Sequence, residues 1–328
     1  MNSNGPSGHT NGPVGPPVRA SRNRPGHTRW FIVRVGETGI DTGFAHSLRS
    51  IAAHMFQTPT RSNLQRARWL ARSRLARTPL YLHLARFSDA QTDEWLIARH
   101  KQLCVDGFPR SATTFAVAAF KLAQPHPVSV AHHSHAPAQV CAAVRWGIPT
   151  IVTIREPEQS VLSTAVYLPF LTVASALRAY VAFYDAVRPF RSAFLVSDFS
   201  ATTTQLGSVI RTVNETYGTG FAEYIPTQET EAILFRIIDH GDESSPANRL
   251  ITEFLSGGIG LEQLRARLVA EIGVDLDDPV EVCDATVARP SSDRQRRKEA
   301  LRDSYRSPAL ADLRLRAERV YAQLAEPR

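Results

Sequence analysis

The sequence predicts an α/β protein with a central, mostly parallel sheet flanked by helices, and three observations point there. Short apolar runs at Leu103-Cys104-Val105, Pro149 to Ile154 (a continuous β-branched run) and Ala193 to Ser197 recur between segments whose apolar residues have helical spacing. Each run ends in polar or turn-forming residues that lead into the next helix. At 328 residues and 43% hydrophobic content, the chain can build a sizeable core, as one large domain with attachments or as two smaller ones.

Taken in order, residues 1–27 are almost all Gly, Pro, Ser, Asn and Arg and read as a disordered tail, because so little apolar surface cannot offset chain entropy. Residues 28–100 read as an N-terminal helical covering region. Trp30 to Val35 is a candidate strand, and Ala45 to Ala98 alternates Arg with apolar residues at helical spacing, interrupted near Pro59 and Pro79. This stretch is expected to pack over the sheet and not to form a separate functional domain. Residues 101–328 read as the α/β domain, with a variable insertion near 218–279 that the pattern assigns only to helices and loops.

Inside that domain the first strand turns through Asp106-Gly107-Phe108-Pro109-Arg110-Ser111-Ala112-Thr113-Thr114-Phe115 into an alanine-rich helix. Pro127 to His133 predicts a second strand, and Pro137 to Trp146 a helix stopped by Gly147. The third strand ends at Arg155-Glu156-Pro157, where Pro157 opens another helix. A helix over Val173 to Val187, the strand Ala193 to Ser197 and a helix over Thr203 to Tyr217 follow. Near the end, Pro290 to Leu324 is helical and highly charged, with Ser292 and Gln295 spaced as a capping box. Because ligands gather at the carboxyl ends of parallel strands, the Gly107 to Thr114 loop, the His132 to His135 segment and Arg155 are expected on one rim.

Composition narrows the function classes. No apolar run reaches the ~20 residues needed to span a bilayer, and the first thirty residues lack the apolar centre of a signal peptide, so a cytoplasmic location is expected. Cys104, Cys141 and Cys283 are far apart with no CxxC pair, and Cys104 and Cys141 read as buried reduced thiols. The net charge of +7 permits anionic partners. No basic and aromatic platform accompanies it, so nucleic acid is not expected, and a homodimer is left open.

A strand that turns through Gly and Pro into a hydroxyl-rich helix start leaves backbone N–H groups aimed at one spot, which suits a phosphate or sulfate. Against the nucleotide loop GxxxxGK[ST], Gly107 and Thr114 fit the ends, but Ala112 replaces the second glycine and Thr113 the lysine. The cation comes earlier, at Arg110.

Phe108 to Phe115 resembles the PKSGTTW-type loop of sulfotransferases that use 3′-phosphoadenosine 5′-phosphosulfate. The resemblance continues in order along the chain. Ser134-His135-Ala136-Pro137 resembles the segment bearing that family's catalytic histidine. Arg155 with Ser163 eight residues on looks like its 3′-phosphate-binding segment, and Leu195 to Phe199 is similar to the strand and turn that follow. It covers about 103–217 and implies a three-layer sulfotransferase fold related to the phosphate-loop nucleotidases. It also implies the phosphosulfate as co-substrate, no required metal, and a small-molecule acceptor.

By position, the resemblance implies that amides near Ser111, Ala112, Thr113 and Thr114, with the Thr113 and Thr114 hydroxyls, hold the 5′-phosphate. Arg110 would neutralise the oxygen left when the phosphate–sulfate bond breaks, and Phe115 would pack on adenine. Arg155 and Ser163 would bind the 3′-phosphate, and His135 would act as general base, with His133 near the acceptor. Among Arg289, Ser291, Arg294, Arg297 and Lys298, the candidates for a late contact to the 3′-phosphate, Arg289 is the expected one. Ala112 stands where the family has glycine, and a positive φ there would strain it.

Blander readings remain open. Taken alone, Arg155 also reads as an ion-pair partner of Glu156 or Asp198, Ser163 as helix filler, and the histidines as a surface cluster or, through His133 and His135, as part of a zinc site lacking an evident third ligand. As whole functions, a phosphate-loop kinase or nucleotide hydrolase, a nucleotide-binding protein without turnover, and an Arg-rich nucleic-acid partner stand beside the transferase.

Overall fold

The computed structural model describes residues 61–86, 95–240, 245–276 and 292–326. The tail, the Trp30 to Val35 strand, Cys283, Arg289 and Ser291 lie outside them.

Four strands form one sheet in the order β2-β1-β3-β4: β1 Leu103–Gly107, β2 Val130–His132, β3 Thr150–Ile154 and β4 Leu195–Asp198. All three pairings are parallel, with Val105 opposite His132 and Ile151, and Thr153 opposite Gly107 and Ser197. The helices, in chain order, are α1 Arg61–Leu75, α2 Leu80–Arg86, α3 Thr113–Ala123, α4 Pro137–Arg145, α5 Pro157–Tyr167, α6 Val173–Val187 and α7 Phe199–Thr204. They continue with α8 Leu206–Tyr217, α9 Gln228–His240, α10 Asn248–Ser256, α11 Leu261–Ile272, α12 Ser292–Arg306 and α13 Ala311–Ala325.

The β-branched run in β3 is buried throughout because both faces of the sheet are covered. Strand alternation sends Leu103, Val105 and Ile151 to one core with α3 and α8 to α11, and Val152 and Ile154 to another with α5, α6, α12 and α13. These are the three layers. The region read as an insertion is therefore one wall of the first core, where Ile233, Leu234, Ile237, Leu250, Ile251, Phe254, Leu264 and Leu268 are buried. Two predicted helices are each divided. Thr203 to Tyr217 breaks at Gln205 between α7 and α8, and the charged C-terminal run breaks at a 3-10 turn, Pro308–Leu310.

The chain steps from β1 outward to β2, then passes back over β1 to β3. That reversal opens a crevice between the carboxyl ends of β1 and β3. On one side of it, the turn that follows α1 is joined to α4 by Ala138 N–H donating to the Ala76 carbonyl at 2.9 Å. Residues 61–86 hold seven arginines and no Asp, Glu or Lys, so the rest of the chain is charge-balanced and the +7 surplus belongs to this covering layer. No helix among the described residues is long and apolar enough to cross a membrane.

Candidate active site

The loop after β1 begins at Gly107 because nothing larger fits. A Cβ there would run into the carbonyl and hydroxyl of Thr153 on β3 and lie 2.7 Å from Ser111 Oγ. Three of the loop's carbonyls are taken up by side chains of neighbouring residues. Phe108 O accepts from Ser111 Oγ at 2.6 Å, Pro109 O from Ser160 Oγ at 3.0 Å and Thr164 Oγ1 at 3.3 Å, and Arg110 O from Arg155 Nη1 at 3.4 Å. Tyr184 Oη, itself donating to Thr153 O at 2.9 Å, accepts from Phe108 N–H at 3.3 Å. With the carbonyls committed, the N–H groups of Ser111, Ala112, Thr113 and Thr114 are left without a hydrogen-bond partner among the described residues. They open α3, where the helix dipole adds positive charge.

The turn needs left-handed backbone at Arg110 (φ 69°) and Ala112 (φ 71°), neither a glycine. Thus the strain foreseen for Ala112 is present, and Ala112 occupies the N-cap of α3 without a side chain to cap it. The Thr113 hydroxyl, expected at the phosphate, turns inward to Thr153 Oγ1 at 2.8 Å, beside Ser111 Oγ, which is 2.9 Å from the same atom. Thr114 Oγ1 pairs with His133 Nε2 at 2.8 Å. Phe115, expected on adenine, packs edge-on to Tyr224 and Phe235.

Around the β3–α5 turn the cations gather. Arg110 Nε donates to Ser163 Oγ at 3.1 Å with its guanidinium over the Tyr167 ring, and Arg155 lies 3.8 Å above the centre of Phe199. Burial, then Arg294 and Arg155, bring Arg110 down to about 10. Burial, then Arg155, Arg110 and Arg294, bring Lys298 down to about 8. Burial also lowers Arg155. Arg294 and Lys298 therefore join Arg110 and Arg155; Arg289, which the sequence favoured, lies outside the described residues. They arrive because α12 docks on α5, with Arg302 to Glu158 at 3.0 Å and Arg297 Nη2 to Val166 O at 3.2 Å.

On the other flank, β2 leads into a segment where His133 (φ 53°) and His135 (φ 47°) are also left-handed. His135 Nδ1 is 2.8 Å from the Gly107 carbonyl. A carbonyl only accepts, so Nδ1 carries the hydrogen and neutral Nε2 is left with a lone pair. The side chain is 26% exposed, enough for a ligand to reach. Burial lowers its proton affinity, and Asp106 pulls it back up. His133, lowered to about 3 by burial and by His135, stays neutral; burial holds His132 well below its usual range too.

Sequence reasoning passed over the residue that ties this flank together. Asp106, fully buried at the end of β1, accepts from Gly107 N–H (2.9 Å) and His135 N–H (3.1 Å) on Oδ1, and from Ser134 Oγ (2.7 Å) and Gln139 Nε2 (3.0 Å) on Oδ2. The available signal was an acid at the end of an otherwise apolar strand, one residue before the tight glycine. Arg72 of α1 was passed over as well; its Nη2 donates to the Ser134 carbonyl at 2.7 Å. No group of three or more metal-ligating His, Cys, Asp or Glu side chains occurs among the described residues.

Compared with family models, with curated proteins and with solved structures, the chain matches none.

Proposed function

We propose that this protein transfers a sulfuryl group from 3′-phosphoadenosine 5′-phosphosulfate to a hydroxyl or amine of a small-molecule acceptor. The observation that carries the reading is the shared rim. There, unpaired amides Ser111 to Thr114 stand between a group of cations, Arg110 on Ser163 with Arg155, Arg294 and Lys298, and a histidine whose Nε2 has no partner among the described residues. A donor with phosphates at both ends of its nucleoside needs two anion sites, and a base beyond one of them.

In this reading the amides hold the 5′-phosphate, and Arg155, Ser163, Lys298 and Arg294 hold the 3′-phosphate. Arg110 lies on the clamp side, yet its charge is also felt at His135, so it stands between the two ends. His135 Nε2 takes the acceptor proton as the acceptor oxygen or nitrogen bonds to sulfur. The bond from sulfur to the phosphate oxygen breaks, and the electron pair leaves on that oxygen. Arg110 and the amides meet the growing charge, an interaction strongest in the transition state.

The test is thermal denaturation with 3′-phosphoadenosine 5′-phosphate at millimolar concentration, followed by transfer from labelled phosphosulfate to a panel of hydroxylated and amino metabolites. The expected result is a raised Tm, lost in Arg155→Ala, and a transfer that His135→Gln loses while keeping the shift. No shift with this ligand sinks the proposal, and a magnesium-dependent shift with ATP in its place assigns the loop to phosphoryl transfer.

A further inference from the structure

Asp106 is the one fully buried carboxylate at the carboxyl rim among the described residues, and the transfer chemistry above gives it no part. We infer that Asp106 is a positioning residue for His135, holding the imidazole at the crevice and supplying the counter-charge when Nε2 becomes protonated. Only the source of that proton, the acceptor, rests on the sulfotransferase reading.

The geometry points this way on two counts. First, two left-handed residues, His133 and His135, lie within three positions, and such backbone persists only where its surroundings over-determine it. Asp106 supplies that restraint from one side, through His135 N–H and the Ser134 hydroxyl, and Arg72 from the other, through the Ser134 carbonyl. Gln139 closes the arrangement. Its Nε2 donates to Asp106 Oδ2, while its Oε1 accepts from Ile97 N–H at 3.0 Å and so fixes which way the amide faces. All four partners present hydrogens to the carboxyl oxygens, the pattern an ionised carboxylate requires.

Second, the charges around His135 are unequal. Arg72 from α1 and Arg110 from the loop after β1 act against an imidazolium, His133 beside it stays neutral, and Asp106 from β1 acts for it, 3.6 Å from Nδ1. When the acceptor proton moves to Nε2, the ring holds hydrogens on both nitrogens and one positive charge. Burial raises the proton affinity of Asp106, while His135 and the Ser134, Gly107 and His135 N–H donors lower it; held by those donors, the carboxylate balances the charge and the proton need travel no further. The Gly107 carbonyl sets the tautomer, and the carboxylate sets how readily the second proton is taken.

The experiment is nitrogen-detected NMR of the histidine rings in the full chain, with the His135 signals identified by their loss in His135→Gln. In wild type, His135 is expected as the Nδ1–H tautomer. Asp106→Asn keeps the shape and removes the charge; it is expected to lower the proton affinity of His135 by about tenfold or more, as loss of an opposite charge at this distance does. A folded Asp106→Asn protein with the His135 titration unchanged overturns the inference. Should that variant fail to fold, the carboxyl carbon shift of Asp106 in wild type is followed instead. An inflection at the pH where His135 titrates supports the pairing, and a flat response overturns it. These readouts need neither donor nor acceptor. A chain that never binds the phosphosulfate product thus fails the proposed function and leaves this result standing. Where transfer is measurable, the acid limb of kcat/KM should move with the His135 titration while affinity for 3′-phosphoadenosine 5′-phosphate holds; a purely structural role would lower the rate without moving the limb.

Discussion

The two ends of the rim are built on opposite electrostatic principles. At the β1–β2 end a single carboxylate receives four donors, and the strained residues beside it are tied to neighbouring elements before any ligand arrives. At the β3–α5 end, burial and the neighbouring Arg155 and Arg294 lower the proton affinity of Arg110, and burial with Arg155, Arg110 and Arg294 lowers that of Lys298. The first end is stabilised by its own contacts, and the second carries a repulsion that an anion relieves. On the proposed function, the difference separates residues that hold geometry from residues that wait for charge.

The sharpest way to break this contrast is to exchange the roles. Asp106→Ala leaves the Ser134, Gln139, Gly107 and His135 donors buried without their acceptor and should cost about 3 kcal/mol or more in urea unfolding. Arg155→Ala should change ligand-free stability by about 1 kcal/mol at most, while weakening 3′-phosphoadenosine 5′-phosphate by about 10- to 100-fold, as loss of charge-assisted bonds does. Calorimetric titration and urea curves on both variants decide it. Equal stability losses would show that the cation end is structural too.

Lys298 sharpens the contrast through pH. Its proton affinity is lowered to about 8 in the free protein by burial and three arginines, and a bound phosphate should raise it again. Below pH 8 the amine is charged with or without ligand, and affinity is flat. As pH rises from about 8 toward 10, only the complex keeps the proton, so affinity should fall, by about tenfold. The free protein behaves oppositely, because a lysine with lowered proton affinity gains stability as pH rises through that same window. Lys298→Arg, charged throughout, should flatten the ligand response; an unchanged slope would remove Lys298 from the site.

Legibility in the sequence followed the same division. The β-branched runs and helical spacing anticipated the four strands and the parallel order of the sheet, since burial on both faces leaves a strong local pattern. Arg110, Arg155 and His135 could be picked out because each sits at a turn with its own local signature, whereas Ser163, inside α5, was reached only through the resemblance. Asp106 and Arg72 could not be picked out, because their roles come from partners 28 and more residues away, at Ser134 and beyond. Arg294 and Lys298 were lost among the late basic residues for a similar reason. Only the docking of α12 on α5, through Glu158 and Val166, decides which of them faces the cluster.

Ala112 gives the smallest effect and the most local one. Its φ of 71° places a methyl group where the backbone favours glycine, at a cost of about 1–2 kcal/mol, partly offset because alanine restricts the unfolded chain more than glycine does. Ala112→Gly should therefore raise stability by about 0.5–1 kcal/mol, read from urea unfolding. The flanking amides of Ser111 and Thr113 would keep their directions, because Ser111 Oγ and Thr113 Oγ1 remain anchored on Thr153. Affinity for 3′-phosphoadenosine 5′-phosphate should accordingly hold within about twofold. A tenfold gain would mean that the alanine methyl obstructs the 5′-phosphate, and a loss of stability would mean that the left-handed turn is held by the methyl's own packing.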